Sequence, residues 1–377
     1  MQKYRILLVV RHPVGGIRTF FRYVYRNFDP EKYRFTLIAP EVLETNALLK
    51  DLRALDFRYI LTANDISNKK FFQTITKVIQ NETFDLVHSH GFTSGVCSAL
   101  GSILRQVPHI TTCHDVFTEK QFTGFVGFIK KMGLSLALFM VNNIHCVSSD
   151  AKENLQSYLT ILKFFESKFS VIQNGVESKQ FLNAPERNFR KELGLSEDWF
   201  LIGFLGRFMS QKGFRYLVEA IERIKKKENL SRRPLVLCFD EGGFIREEKN
   251  DIASRGLTES FLFLPFVADV APTLKGLDVV AMPSLWEACG LLAMEAMIAG
   301  VPLIGTDCVG LREVLKDTPA TVIPVRDSSA LAEALIEEME NPSKAKAENF
   351  AIEAATRFNV RERAVELEKL MLKYLEV

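Results

Sequence analysis

Short apolar runs alternate with amphipathic stretches along the whole chain. In the first half the apolar runs predict strands over residues 4–10, 35–39, 59–62, 85–90, 109–114, 144–148 and 170–173. Helical spacing of apolar residues falls between them, over 17–27, 46–55 and 71–80. In the second half strands are predicted over 200–205, 235–239, 261–265, 278–282, 301–305 and 320–324. Strands that carry few polar positions are buried on both faces, and regular alternation with helices builds parallel, doubly wound α/β sheets.

The periodicity weakens between Asn174 and Arg190, where Asn-Gly, Pro and several charges cluster, so a linker is expected there. With 377 residues, two domains of about 150–200 residues each are expected. From Asp327 onward the pattern is helical only, ending in a long amphipathic helix over 360–375. That tail is more than the second domain needs to complete a sheet, and it could pack back on the first.

Hydrophobic residues make up 47% and charged residues 25%, values of a soluble globular protein. A net charge of +2 argues against broad nucleic-acid binding. Six scattered cysteines without a C-x-x-C pair argue against a disulfide framework or zinc site. The first apolar run is five residues long, short for a signal peptide, and no run approaches the ~20 apolar residues of a spanning helix. A cytoplasmic location is expected.

The clearest chemistry lies between two second-half strands. Glu287 and Glu295 are eight residues apart in Pro283-Ser-Leu-Trp-Glu-Ala-Cys-Gly-Leu-Leu-Ala-Met-Glu. Gly290 is expected to open a helix, which puts Glu287 in the loop at a strand's carboxyl end and Glu295 about a turn and a half inside. That sheet edge is where ligands of open parallel sheets bind, and helix-start N–H groups favour anions. Each half also opens with a strand followed by a glycine-bearing turn. In the first, Gly15 and Gly16 occupy it; in the second, Arg207 and Lys212 lie in Gly203-Phe-Leu-Gly-Arg-Phe-Met-Ser-Gln-Lys-Gly213. Two cations near a helix start suit a diphosphate.

No G-x-G-x-x-G follows a strand, no P-loop motif occurs, and no D-x-D pair is present. A metal-independent site using Arg and Lys is therefore expected. All six histidines fall in the first 145 residues. His88-Ser-His90 alternates along one strand, a weak metal pair without nearby carboxylates, and His114-Asp115 ends a strand where a ligand could be met. Residues 117–142 interleave phenylalanines and leucines with Lys120, Lys130 and Lys131. They could touch anionic lipid, but an ordinary helix with a solvated basic side is the preferred reading.

Together these motifs resemble the retaining glycosyltransferases of family 4, of the GT-B fold. The family's E-x7-E is met by Glu287 and Glu295, and its G-R-x4-K-G by Gly206, Arg207, Lys212 and Gly213. The Gly15-Gly16 loop, Thr112-Cys-His-Asp115, Val147-Ser-Ser, Asn174-Gly-Val176 and Asp307-Cys-Val-Gly-Leu-Arg-Glu313 also fit. The chain departs from the usual pattern at Asp240-Glu-Gly-Gly243, at Ala288-Cys289 and at Asp317-Thr-Pro-Ala320.

The resemblance implies two Rossmann-like domains facing each other across a cleft. Residues 1–180 would be the acceptor domain, with 360–377 returning to it, and 181–359 the donor domain. It implies a nucleotide diphosphate sugar donor, of UDP or GDP, and no other cofactor or metal. Arg207, Lys212 and the N–H groups at Gly290, Leu291 and Leu292 would face the diphosphate, Glu295 the ribose, and Glu287 the donor sugar. Gly15 and Gly16 would approach from the first domain, with His114 beside the transferred sugar. The acceptor would be a saccharide, a lipid-linked molecule or a small molecule, reached from the cytoplasm or the inner membrane face through 117–142, in cell-surface polysaccharide or glycolipid synthesis. An epimerase of the same fold and a non-catalytic sugar-nucleotide binder are the alternatives.

Overall fold

The computed structural model describes residues 3–228, 230–239 and 245–376. The chain divides into two compact units, Met1–Gly175 with Val360–Val377, and Val176–Asn359. The first crossing between them lies inside the 174–190 segment where the periodicity weakens.

The first unit holds β1 (Tyr4–Val10), β2 (Tyr33–Pro40), β3 (Phe57–Thr62), β4 (Leu86–His90), β5 (His109–Cys113), β6 (Asn143–Cys146) and β7 (Phe169–Val171). They form one parallel sheet in the order β3-β2-β1-β4-β5-β6-β7. The second unit holds β8 (Trp199–Leu205), β9 (Arg233–Phe239), β10 (Phe261–Leu264), β11 (Val279–Met282), β12 (Leu303–Thr306) and β13 (Thr321–Ile323). Their order is β10-β9-β8-β11-β12-β13, again parallel.

In each sheet the order reverses once, between β1 and β4 and between β8 and β11. The carboxyl ends of those paired strands diverge into helices on opposite faces and leave a crevice, the usual ligand position of such sheets. Central strands read as unbroken apolar runs because helices cover both faces: Ile6–Val10 and Phe200–Ile202 are wholly buried. Four phenylalanines, Phe200, Phe204, Phe208 and Phe214, help to fill the second core.

The helix Val360–Leu375 belongs to the first unit. It buries Val360, Ala364, Leu367, Leu370 and Met371, and Glu368 accepts hydrogen bonds from Lys32 Nζ and Tyr33 Oη, both at 2.8 Å. Gly175 makes its entry possible, since a Cβ there would lie 2.6 Å from Val360 Cα.

Candidate active site

In the second unit, three loops converge beyond the β8–β11 crevice. Gly213 follows the turn Ser210–Lys212 with a left-handed φ of 66°, and a Cβ there would lie 1.9 Å from the Pro283 carbonyl oxygen. Only glycine lets that turn press onto the loop after β11. Leu285 N donates to Gln211 O at 2.8 Å, and Gln211 Nε2 donates to Trp286 O at 2.9 Å. From the other side Glu287 N donates to Val309 O at 2.9 Å. Gly310, with φ 78°, has no room for a Cβ, which would meet Glu287 O at 2.1 Å. Glu287 is thereby fixed by backbone contacts from two neighbouring loops.

Its carboxylate is 7% exposed and accepts from Lys212 Nζ at 2.6 Å and from Ser284 Oγ at 2.8 Å, both on Oε1. A buried carboxylate needs such partners. The ammonium has three donors, so the Glu287 contact leaves two for another anion. The stem of Lys212 runs beside the β8 end, where a Cβ on Gly206 would sit 3.7 Å from Lys212 Cε. Arg207, next in the chain, is exposed and makes no ion pair or hydrogen bond among the described residues.

Gly290 adopts φ 58° and starts the helix Leu291–Ile298. The first N–H groups of this helix precede its hydrogen-bonding ladder and can meet an anion. Glu295 lies inside the helix and is 8% exposed. Cys308 is also close to this carboxylate cluster; burial, with help from Glu287, pushes its thiol up to about 11, so it is inert.

In the first unit, Gly15 and Gly16 stand exposed between β1 and the helix Gly16–Val24. Gly15 has φ 55° and ψ −130°, a conformation that side-chain-bearing residues avoid. One turn inside that helix, Phe20 meets His114 edge-on at 4.9 Å. His114 lies just past β5 and contacts His90 Nδ1 through Nε2 at 3.0 Å. Behind it Tyr25 Oη touches His88 Nδ1 at 2.9 Å and His90 Nε2 at 2.8 Å. Thr112 Oγ1 touches His88 Nε2 at 2.7 Å and His145 Nδ1 at 2.9 Å. Burial keeps these imidazoles neutral. His88 and His90 lie well below the ordinary range, His145 falls to about 4, and His114 to about 3.

The structure thus gathers Arg207, Lys212, Glu287, Gly290, Leu291, Leu292 and Glu295 at one edge of the second sheet. Gly15, Gly16 and His114 lie at the equivalent edge of the first. Lys212 ends the turn Ser210–Lys212, and its side chain is 25% exposed and bonded to Glu287. One expectation changes. The exposed side of the helix Gly124–Met140 carries Lys130 but is mainly apolar rather than basic. Phe125, Val126, Phe128, Ile129, Met132 and Leu136 are exposed, while the buried side is built from Gly127, Leu134, Ser135, Ala137 and Leu138.

His88 and His90 spend their ring nitrogens on Tyr25, Thr112 and His114, and no group of three or more metal-ligating side chains is placed to hold an ion among the described residues. The departure at Asp240–Gly243 lies outside the described residues. At 317–320 Asp317 takes a left-handed φ of 56°. Sequence reasoning missed Ser284, Gln211, Gly310 and Tyr25. Of these Ser284, three residues before Glu287, and Gly310, inside the Asp307–Glu313 motif, carried a local signal. A cavity of about 400 Å³ lined by Lys275, Leu277, Val301 and Lys344 lies at the opposite, amino-terminal edge of β11 and β12, away from these groups.

The chain resembles known proteins along nearly its whole length. The family model described as Glycosyltransferase Family 4 matches residues 14–180, and that described as Glycosyl transferases group 1 matches residues 185–357. An uncharacterised glycosyltransferase of Methanocaldococcus jannaschii is 29% identical over 246 residues, 62% of this chain and 60% of that protein. The UDP-Gal:alpha-D-GlcNAc-diphosphoundecaprenol alpha-1,3-galactosyltransferase of Escherichia coli is 27% identical over 276 residues, 72% of this chain and 70% of that protein. The matched stretch therefore spans less than two thirds of the former. Anabaena HepE, solved with UDP and glucose, superposes with a TM-score of 0.81 at 19% identity, covering 98% of this chain and 100% of that one. Two matched family models spanning nearly the whole chain, the paired parallel sheets and the shared fold lead to one conclusion: this chain belongs to the family 4 glycosyltransferases, glycosyl transferases group 1, with the GT-B fold.

Proposed function

We propose that this chain moves a sugar from a nucleotide diphosphate donor to an acceptor hydroxyl with retention of configuration, and without a metal ion. The observation that carries the reading is the Lys212–Glu287 pair at the switch point of the second sheet, beside Arg207 and the helix start at Gly290. Glycosyl transfer places negative charge on the departing diphosphate. Arg207, the two remaining Lys212 donors and the N–H groups of Leu291 and Leu292 would stabilise it as it develops. Glu287, locked by its loop, would hold the sugar while Glu295 binds the ribose. Glu287 is a poor covalent nucleophile, because Oε1 already accepts from an ammonium and a hydroxyl. Front-face attack, with the leaving phosphate taking the acceptor's proton, fits that arrangement.

A relative acting on a lipid-diphosphate acceptor and a fold neighbour solved with UDP and glucose support a UDP-sugar donor and a saccharide or lipid-linked acceptor. A thermal-shift panel of UDP, GDP, ADP and their sugar conjugates tests the donor. A bound ligand stabilises by RT ln(1 + [L]/Kd), about 2.7 kcal/mol at a hundredfold excess over Kd. Absence of any shift across the panel would sink the reading.

The exposed apolar face favours work at an anionic membrane surface. On the helix Phe92–Leu104, Val96, Leu100 and Ile103 are exposed, and this helix packs on Gly124–Met140. Ile161 and Phe164 extend the face from a neighbouring element. Lys120, Lys130, Lys131 and Lys163 accompany it, the combination that settles in a lipid headgroup layer. No described helix is long and apolar enough to cross a membrane. Co-sedimentation with vesicles containing anionic lipid, lost in Phe125→Asp/Ile129→Asp, is expected; equal binding by both proteins would refute this surface.

A further inference from the structure

The histidines of the first unit form one hydrogen-bonded chain whose direction is set at its buried end. The Ile172 carbonyl can only accept, so His145 donates to it through Nε2, at 3.1 Å, and leaves Nδ1 without a proton. That bare Nδ1 accepts from the Thr112 hydroxyl. With its single proton spent, Thr112 accepts from His88 Nε2. His88 Nδ1 is then bare and accepts from Tyr25 Oη, which in turn accepts from His90 Nε2. Finally His90 Nδ1 is bare and accepts from His114 Nε2. For neutral rings no other assignment satisfies all six contacts. One hydrogen-bonding atom of the chain is left over: His114 Nδ1, unprotonated, with no partner among the described residues.

We propose that Tyr25, His88, His90, Thr112 and His145 are positioning residues which hold His114 as a neutral hydrogen-bond acceptor at the β5 edge. A bare imidazole nitrogen accepts a hydrogen bond from a hydroxyl and has no donor to offer a carboxylate or phosphate oxygen. His114 therefore selects a sugar hydroxyl that donates to it, and disfavours a donor whose group at that point is oxidised to a carboxylate. The inference rests on the reading of His114 as lying beside the transferred sugar, although the direction of the chain does not. Tyr25, Thr112, His88, His90 and His145 are all buried, so each unmatched contact would leave a dry polar atom, which is what makes the direction stringent. Burial also opposes adding a proton anywhere along it.

The test is the tautomer of each ring, read by two-bond proton–nitrogen spectra of protein labelled with 15N-histidine, without any ligand. In the parent His88, His90, His114 and His145 are expected to be neutral and protonated on Nε2. Tyr25→Phe removes the link between His88 and His90. It should release His90 and His114 to a mixture of tautomers, while His145 and its bond to Ile172 stay as they are. Thr112→Val should release His88 as well, and Thr112→Ser should restore the parent pattern. Unchanged His114 tautomers in both Tyr25→Phe and Thr112→Val would overturn the proposal, as would an Nδ1-protonated His114 in the parent. Kinetics separate the two readings. If the tautomers shift and kcat falls about tenfold with donor KM little changed, both stand. If the tautomers shift while kcat is unaltered, the directed chain stands and the sugar contact falls.

Discussion

The two sheet edges are built from opposite chemistry. In the second unit the groups are charged: Lys212 lies 2.6 Å from Glu287, with Arg207 exposed after β8 and Glu295 buried in the helix that follows. In the first they are neutral: the Thr112 hydroxyl, with Tyr25 and four imidazoles that burial keeps uncharged. A charged site is held in place by loops and ions and tolerates water. A neutral polar network works only if every member is matched, so it is built deep and specified collectively. Binding a diphosphate calls for the first kind, and orienting an uncharged hydroxyl calls for the second.

Acid should separate the units most strongly. His88, His90, His109 and His145 are buried, and their folded pKa values lie below the unfolded value near 6.5. Below that value the unfolded chain binds more protons, so stability is full above pH 6.5 and falls as pH drops, by up to about 1.4 kcal/mol per pH unit for each histidine. All six histidines lie in the first unit and both tryptophans, Trp199 and Trp286, in the second. Circular dichroism is expected to report loss of structure below pH 6 ahead of any change in tryptophan fluorescence. Simultaneous transitions would contradict the division.

Arg207→Ala should lower kcat/KM for transfer by about 100-fold or more, the scale of losing one group that stabilises developing charge. Its exposure predicts an unchanged melting temperature. Lys212→Ala should lose activity too, but here stability falls by roughly 1–3 kcal/mol because Glu287 loses its counter-charge. Adding Glu287→Gln should restore most of that stability and none of the activity. Equal melting temperatures for the parent and Lys212→Ala would mean the pair does not form in solution. The smaller effects concern the glutamates alone. Glu287→Gln should act mainly on kcat, and Glu295→Gln should raise the donor KM about tenfold with kcat retained. EDTA should change nothing; loss of activity restored by Mg²⁺ would mean that the charge balance at the diphosphate includes a metal.

The sheets were legible in the sequence because their strands are short apolar runs between helical periods, and all thirteen lie where such runs occur. The charged edge was legible because its groups come from motifs contiguous along the chain. The Lys212–Glu287 contact itself was not. It depends on Gly213 and Gly310 admitting two backbones at close range, which spacing alone does not express. The histidine chain was less visible still, since Tyr25 leaves a helix end to reach residues 63 and 65 positions away. An H-x-H pair reads as a weak metal motif until the tyrosine is seen between its rings. The exposed face of Gly124–Met140 was misread for a related reason: which side of an all-round apolar helix meets the core is decided by its neighbours.

Calorimetric titration of the preferred nucleoside diphosphate into three proteins addresses the division of labour most directly. The account predicts that the parent and Tyr25→Phe bind with affinities within about twofold, while Arg207→Ala binds at least tenfold more weakly, the worth of one charge-assisted hydrogen bond. Equal affinity in the parent and Arg207→Ala, or a comparable loss in Tyr25→Phe, would contradict it.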